Sequence, residues 1–365
     1  MKMQLGIVGL PNVGKSTLFN ALTMGNAMVA NFPFCTIDQN VGAVAVPDER
    51  LWKLKDILNP PKTTPTSVEF VDIAGLVKGA SHGEGLGNEF LGHIRNVDAI
   101  FHVVRCFDDE NVAHVSDKID PEFDIDIVNT ELLLADTKVI EKRHDKASRS
   151  TRTGDKSVVE EAHFLEKLLN SLKSGIPARK IEFSEHEKVF MNEYQLLTQK
   201  KMLYVANVGE DSLADDSNEY FKSAKKIAKE QGIEIIPISS KLEAELNELD
   251  PDERKTFLSE MGLTESSLER IVRASYDLLN LITFFTANEN ELRAWSIVKG
   301  TLAPKAAGKV HSDMEQGFIR AEVVHYKDLV SVGSMKDARD HGLIHLEGKD
   351  YVVMDGDIVY FRFHV

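Results

Sequence analysis

The chain has little of what marks secreted or membrane-spanning proteins. Its 365 residues include only two cysteines, Cys35 and Cys106, too few for a disulfide framework. No apolar run approaches the ~20 residues that a membrane span requires, and the N-terminus lacks the cleavage-like site of a signal peptide. We therefore expect a cytoplasmic protein with no membrane partner.

Positive charge is also scarce. The chain carries 43 Lys and Arg residues against 58 Asp and Glu residues, a formal net charge of −15. The whole molecule therefore repels polyanions at long range, so that only a local basic patch can hold RNA, and we expect no DNA partner. Hydrophobic residues make up 42% of the chain, which at this length predicts two or three domains, each with a core of its own.

The sequence does contain, near its start, a complete phosphate-loop motif. Residues 9–16 read Gly-Leu-Pro-Asn-Val-Gly-Lys-Ser and match G-x-x-x-x-G-K-S. The apolar run 5–8 predicts a buried strand before the loop. A helix is predicted from Thr17, so that its N-terminus faces a bound anion. These flanking elements argue against a glycine turn that merely precedes a lysine.

Each position of this loop has a chemical task. Main-chain N–H groups curl around the α and β phosphates, Lys15 neutralises the β and γ oxygens as a catalytic residue, and the Ser16 hydroxyl ligates Mg²⁺. The predicted nucleotide-binding residues of the loop are Asn12, Val13, Gly14, Lys15, Ser16 and Thr17.

Two later segments complete the predicted metal site, whose ligands are Ser16, Thr36 and Asp72. Residues 72–75 follow an apolar strand and fit D-x-x-G, in which the carboxylate holds Mg²⁺, usually through water, and the glycine N–H senses the γ phosphate. Thr36, within residues 31–37, can supply a second hydroxyl once the γ phosphate is present. The alternative for residues 31–37 is structural: the aromatic residues pack the loop on the sheet and Thr36 begins a strand.

The residue types alone do not identify the group that orients the attacking water. Leu76 stands where many GTPases of this type carry a glutamine, and leucine cannot hydrogen-bond water. His82, Glu84 and His114 lie near the predicted strand ends, and an imidazole can orient or deprotonate water near neutral pH. A lone histidine in a loop is more often a surface residue, so composition does not choose among them.

The base-recognition element departs from the guanine pattern. Residues 207–210 read Asn-Val-Gly-Glu where guanine-selective relatives carry N/T-K-x-D, so the lysine is missing and Glu210 is one methylene too long. Adenine then becomes plausible, with Asn207 and the Val208 backbone at its edge. Alternatively, Asn207 simply caps an Asn-x-Gly turn. Residues 239–241, Ser-Ser-Lys, resemble the S-A-K element behind the base, so Ser239 joins Asn207, Val208 and Glu210 in the predicted site.

The remaining pattern predicts an α/β fold, a P-loop NTPase with a doubly wound, mostly parallel sheet. Four further apolar strands are predicted near 68–71, 99–104, 202–206 and 233–238. Residues from about 129 to 197 have helical spacing broken by a polar stretch, which predicts an inserted helical hairpin. Short strands and turns from 281 onward predict a small α+β domain. We therefore predict a nucleotide-binding domain over 1–280 and a second domain over 281–365.

Seven segments together carry a family resemblance that runs nearly end to end. They are residues 9–17, 31–37, 72–77, 83–88, 207–210, 303–307 and 317–323. On these motifs the chain resembles the YchF-type Obg-like ATPase family, a TRAFAC-class branch of the P-loop NTPases. The resemblance implies an OBG-type nucleotide domain interrupted by a helical arm, followed by a C-terminal β-grasp domain of the TGS type.

The resemblance also implies an activity and partners. ATP would be preferred to GTP, Mg²⁺ would be held by Ser16 and Thr36, and His114 would assist hydrolysis in place of the absent glutamine. Family members associate with the ribosome, both 70S and the large subunit, and hence with its RNA. His345 stands where relatives often carry arginine, so an RNA contact there would be weaker or pH dependent.

The helical arm carries the local basic patch that an RNA contact would need. Its basic residues outnumber the acidic ones in the same stretch; they are Lys138, Lys142, Arg143, Lys146, Arg149, Arg152 and Lys156. Such a patch can engage phosphates, with affinity that falls as salt rises. A solvated helix face with mixed charge pairs is equally consistent with the sequence.

The leading hypothesis is a slow Mg²⁺-dependent ATPase that acts as a nucleotide switch on the ribosome. Two alternatives remain: a GTPase in ribosome assembly, and a ribosome-binding adaptor with little turnover.

Overall fold

The computed structural model describes residues 3–27, 40–73, 86–109, 118–151, 155–213 and 217–364. Within these residues the chain forms two compact units. The first holds chiefly residues 3–25 and 69–268, and the second holds chiefly residues 43–68 and 269–364. This division differs from the predicted single boundary after residue 280, because an early segment joins the C-terminal part of the chain.

The strands are numbered in chain order. They are β1 (Gln4–Val8), β2 (Val41–Ala45), β3 (Lys62–Thr64), β4 (Ser67–Asp72), β5 (Ala99–Cys106), β6 (Lys201–Val208), β7 (Ile235–Ile238), β8 (Leu281–Ala287), β9 (Glu291–Val298), β10 (Phe318–His325), β11 (His345–Glu347) and β12 (Asp357–Phe363).

The α-helices are numbered in the same way. They are α1 (Lys15–Ala27), α2 (Glu49–Leu58), α3 (Leu86–Asn96), α4 (Pro121–Ser150), α5 (Lys156–Lys173), α6 (Glu185–Tyr194), α7 (Glu219–Gln231), α8 (Ser240–Leu246), α9 (Pro251–Glu260), α10 (Ser267–Leu278), α11 (Ala303–Val310), α12 (Ser312–Gln316), α13 (Tyr326–Val332) and α14 (Met335–Asp340).

The first sheet has six strands in the order β2-β4-β1-β5-β6-β7. The strand β1 pairs in parallel with β4 and β5, and parallel pairing continues from β5 to β6 and from β6 to β7. Every residue of β5 is buried, as expected for a central strand covered on both faces. The predicted α/β fold with a mostly parallel sheet is therefore confirmed, and the carboxyl ends of its strands meet at one edge.

The helical hairpin is longer than predicted. Its first helix, α4, contains 30 residues and begins at Pro121 rather than near 129, because the Asp120 side chain caps it by accepting a hydrogen bond from Phe123 N. Proline suits the first helical position, where its missing N–H is not needed. The helix α5 packs against α4, and both contribute to one apolar core that includes Ile140, Leu165 and Leu168. No described helix is both long and apolar enough to cross a membrane.

The second sheet lies entirely in the second unit, in the order β11-β10-β12-β8-β9-β3. The hairpin β8–β9 is antiparallel, β12 pairs in parallel with β8, and β10 is antiparallel to both β12 and β11. Phe284, Ala306 and Val323 pack in one buried cluster, which places α11 on a face of this sheet. This is the β-grasp arrangement predicted for residues 281–365.

The segment 43–68, which runs from the end of β2 to the start of β4, belongs to the second unit and supplies one strand of its sheet. Its strand β3 pairs in parallel with β9, with Lys62 opposite Glu291. Its helix α2 buries Leu51 and Leu54 in a cluster that includes Phe285. We refer to residues 43–68 as the excursion segment. Its apolar helix face packs against residues more than two hundred positions later, and its strand pairs with a strand equally far along the chain. These two contacts explain why it joins the C-terminal unit.

Candidate functional site

The phosphate loop lies between β1 and α1, at the carboxyl edge of the first sheet. Gly9, Asn12 and Gly14 have φ values of 155°, 62° and 98°. Such positive values suit glycine and are tolerated by asparagine. A Cβ at Gly14 would also overlap the Nδ2 atom of Asn207. The glycine of the motif is therefore required both by its own backbone and by the neighbour packed against it.

Lys15 is the first residue of α1, and its side chain folds back over the loop. The residue is 8% exposed, and its Nζ donates a hydrogen bond of 2.7 Å to the carbonyl of Leu10. Burial lowers the pKa of Lys15 to about 8, while the carboxylate of Asp72 acts in the opposite direction. A phosphate anion beside Nζ would favour the charged ammonium, because opposite charges at short range stabilise each other.

Ser16 and Asp72 come together although they are far apart in the chain. The Ser16 Oγ donates a hydrogen bond of 3.1 Å to Asp72 Oδ2. Asp72 ends β4 and lies opposite Ile7 of β1, so the parallel register carries the carboxylate to the start of α1. Burial raises the pKa of Asp72, opposed by the Ser16 hydrogen bond and by the charge of Lys15. A divalent cation would hold this carboxylate in its ionised form.

The donor chemistry of this pair suits Mg²⁺. A hydroxyl and a carboxylate are hard oxygen ligands, and Mg²⁺ typically takes one or two carboxylates and fills its remaining positions with water and substrate phosphates. In the part of the chain that the structure describes, no cluster of three or more His, Cys, Asp or Glu side chains could hold a metal.

Asn207 links two parts of the predicted base site. Its Nδ2 donates to the carbonyl of Val13 at 2.9 Å, and its Oδ1 accepts from Ser240 N at 3.1 Å. Asn207 is 5% exposed, so both contacts are shielded from water. The side chain thus joins the phosphate loop to the start of α8, and its second Nδ2 hydrogen has no acceptor among the described residues.

The other predicted base-site residues surround this asparagine. Val208 is buried at the last paired position of β6, opposite Cys106. Ser239 is buried and caps α8, where its Oγ accepts from Leu242 N at 3.3 Å. Glu210 is partly buried, and its Oε1 lies 3.2 Å from Lys241 Nζ. The carboxylate that would have to recognise guanine is therefore already paired with a lysine.

Several predicted residues lie outside the described residues. These are Thr36, Leu76, His82, Glu84, His114 and the glycine of the D-x-x-G motif. Their assignments remain predictions. Of the described site residues, Asn12, Val13, Gly14, Lys15 and Ser16 form the loop, and Thr17 is exposed on the first turn of α1.

The sequence interpretation missed Arg105, at the end of β5. It is 1% exposed, lies opposite Asn207 in the sheet, and donates from Nε to the carbonyl of Phe107 at 3.2 Å. A charged residue within the apolar run Ala99–Cys106 was the available signal, because a buried charge requires specific partners. It also missed the bond from Asn207 to Val13, for which a single sequence contains no signal.

Comparison with known proteins gives a consistent result. The profile YchF-GTPase_C, described as "Protein of unknown function (DUF933)", matches residues 281–364, and the profile MMR_HSR1, described as "50S ribosome-binding GTPase", matches residues 4–142. The chain is 53% identical to "Ribosome-binding ATPase YchF" of Bacillus subtilis (strain 168) over 366 residues, covering 100% of both chains. It is 48% identical to the protein of that name from Escherichia coli O157:H7, again with 100% of both covered.

A solved structure is similar over almost the same length. It is described as "Structure of the Schizosaccharomyces pombe YchF GTPase" and superimposes with a TM-score of 0.91 at 39% identity, covering 99% of this chain and 98% of that one. The names of these relatives differ in the nucleotide: the bacterial proteins are called ATPases and the yeast protein a GTPase.

Proposed function

This chain belongs to the YchF family, and from that premise we propose that it is a Mg²⁺-dependent ATPase that hydrolyses ATP to ADP and phosphate and binds the ribosome in the cytoplasm. The observation that carries the catalytic part is the contact of Ser16 with Asp72 beside the buried ammonium of Lys15. Ribosome binding and the choice of ATP are supported by the name that the bacterial relatives bear, and the large subunit by the description of the profile that matches residues 4–142.

In this proposal the protein acts on ATP mainly by holding it. Loop N–H groups bind the phosphate oxygens, and Lys15 leaves the Leu10 carbonyl to donate to the β and γ oxygens. Ser16 and Asp72 would hold Mg²⁺, with Thr36 as a further proposed ligand; the bound ion would neutralise charge on the transferring phosphoryl group. His114 is proposed to orient the attacking water, because Leu76 cannot.

The proposed preference for adenine rests on the pairing of Glu210 with Lys241. The free Nδ2 hydrogen of Asn207 can donate to N7, which both purines possess, so this contact does not distinguish them. Guanine also presents N1–H and N2–H₂ donors that need a carboxylate. Glu210 is partly buried and paired with Lys241, and a guanine that bound it would have to displace that lysine. ATP binding leaves the pair intact.

We expect the purified protein to hydrolyse ATP with a kcat/KM at least roughly tenfold above that for GTP, the factor that one unmade charged hydrogen bond would supply. The measurement is phosphate release from each nucleotide with and without ribosomes, combined with co-sedimentation over a salt series. Tight GTP binding without ATP binding would favour the GTPase alternative, which the name of the yeast relative supports. Absence of protein in the ribosome pellet at low salt would remove that partner.

Nucleotide affinity should fall as pH rises above the pKa of Lys15, about 8 in the free protein. Bound phosphate raises that pKa, so binding above pH 8 takes up a proton, and affinity should drop by up to about tenfold per pH unit there while staying flat well below it. Titration with ATP between about pH 7 and pH 9.5 at constant salt measures this.

The control for this pH dependence is Lys15→Arg, whose guanidinium stays charged over the whole range. Its affinity can be lower overall but should not fall between pH 8 and 9.5, about the range in which Lys15 titrates. Equal pH slopes in wild type and Lys15→Arg would show that another group is responsible.

A further inference from the structure

A cavity of about 330 Å³ lies between α3 and α4 in the first unit. From α3 it is lined by Arg95 beside Gly92, and from α4 by Lys138 and Lys142 beside Ala135 and Val139. Among the described residues that line it, three are cationic and none is acidic. The whole chain has a net charge of −15, so the charge of these lining residues is opposite in sign to that of the molecule. None of the lining residues belongs to the phosphate-loop site.

Arg95 lines this cavity, and its guanidinium is not fully hydrogen-bonded within the described residues. Its Nε is buried and has no hydrogen-bond partner among the residues that the structure describes. Asp136 lies within electrostatic range of Arg95, but its oxygens already accept from Leu197 N at 2.9 Å, Thr198 N at 2.7 Å and Thr198 Oγ1 at 2.7 Å. A buried donor of a charged group is costly to leave unsatisfied, so Arg95 brings an incompletely hydrogen-bonded guanidinium to the cavity that it lines.

The backbone that carries these cationic residues is fixed by further contacts. Lys200 Nζ donates to the carbonyls of Arg95 at 3.0 Å and Val97 at 2.5 Å, which fixes the last turn of α3. Lys138 and Lys142 are one turn apart on α4, so their Cβ atoms are about 5–6 Å apart on the same face. The backbone of α3 on one side of the cavity is therefore fixed, so binding of a ligand between the helices would cost little backbone ordering there.

We propose that this cavity binds a small anion with two or more phosphate groups. Arginine recognises phosphate through paired hydrogen bonds, and two lysines at one-turn spacing match neighbouring phosphate groups. The volume is at the lower end of the range for small-molecule sites, and the apolar Ala135 and Val139 accommodate an uncharged part of the ligand. A concave site of this size favours a compact ligand over an extended RNA backbone. The proposal does not depend on ATP hydrolysis.

The test is calorimetric binding of inorganic pyrophosphate to the full-length protein without Mg²⁺. All variants are made in the Lys15→Ala background, which weakens the phosphate loop and separates this site from the ATPase. Adding Arg95→Gln or Lys142→Gln should weaken pyrophosphate binding by roughly tenfold or more, as expected for loss of a charged hydrogen bond. Lys142 is exposed, so its substitution should leave the fold intact even if Arg95→Gln does not.

The matched control is Lys156→Gln, another arm lysine, whose side chain is 92% exposed and which does not line the cavity. It should bind pyrophosphate as the Lys15→Ala parent does. Equal affinity in all variants, or no binding to the parent, would overturn the proposal. A parallel titration with short single-stranded RNA distinguishes a small phosphate ligand from RNA. RNA binding that depends on Arg95 and Lys142, without pyrophosphate binding, would also overturn the proposal.

Discussion

Lys15→Ala is expected to lower kcat/KM for ATP by roughly 10²–10³, the cost of removing one positioned donor from developing negative charge. The side chain is 8% exposed, so its ammonium interacts with phosphate in a region shielded from water, where the interaction is stronger. Steady-state phosphate release and ATP binding measure the change. The substitution also removes the donor to the Leu10 carbonyl, so circular dichroism should establish that the fold is retained.

The matched control for this substitution is Lys226→Ala on α7, which removes an exposed lysine of the same unit and should leave turnover unchanged. His114→Ala is a useful companion, because it tests the proposed water-orienting group while leaving the phosphate loop unaltered. If Lys15→Ala and His114→Ala both release phosphate at the wild-type rate, the enzyme proposal is wrong and the ribosome-binding adaptor becomes the better description. Loss in both variants supports the ATPase.

Leu54→Ala is expected to destabilise the C-terminal unit by about 2–5 kcal/mol, the usual cost of truncating a buried leucine. Leu54 is fully buried, and its cluster includes Phe285, Leu292 and Ile358 of the second sheet. Hydrogen exchange followed by mass spectrometry should therefore show faster exchange in β8, β9 and β12 than in wild type. The strands β1, β5 and β6 of the first sheet should be unchanged, although residue 54 lies within the predicted nucleotide domain.

Lys53→Ala provides the control on the same helix. Lys53 is exposed, and alanine is a good helix former, so the change in unfolding free energy should stay within about 0.5 kcal/mol. Faster exchange confined to the first sheet in Leu54→Ala would contradict the assignment of the excursion segment to the second unit.

The predictable parts of the fold and the candidate site are those written in contiguous residues. The phosphate loop occupies residues 9–16 without interruption, and the central strands are apolar runs that periodicity identifies. The strand β3 could not be found in this way, because Lys62–Thr64 is short, polar and stabilised by β9 far along the chain. Its pairing depends on a contact between residues far apart in the chain, which the local pattern of apolar and polar residues does not predict.

The same distinction holds within the site. The types of Ser16 and Asp72 predicted their roles as oxygen donors, but only the register of β1 against β4 brings them within 3.1 Å of each other. The pairing of Glu210 with Lys241 likewise depends on where β6 ends and α8 begins. The sequence predicts which atoms each side chain can offer as ligands. It does not predict which partner a given carboxylate, such as that of Glu210, contacts in the folded chain.

The helix α4 contacts both the first sheet and the apolar core of the helical hairpin. Near its start Asn129 donates to the Tyr204 hydroxyl of β6 at 3.1 Å, whereas Ile140 and Ala147 lie in the core of the hairpin. Its 30 residues span about 45 Å, so a tilt of about 5° at the first turn would swing the last turn through about 4 Å. A small tilt of the first turn of α4 would therefore produce a several-fold larger displacement at the far end of the hairpin.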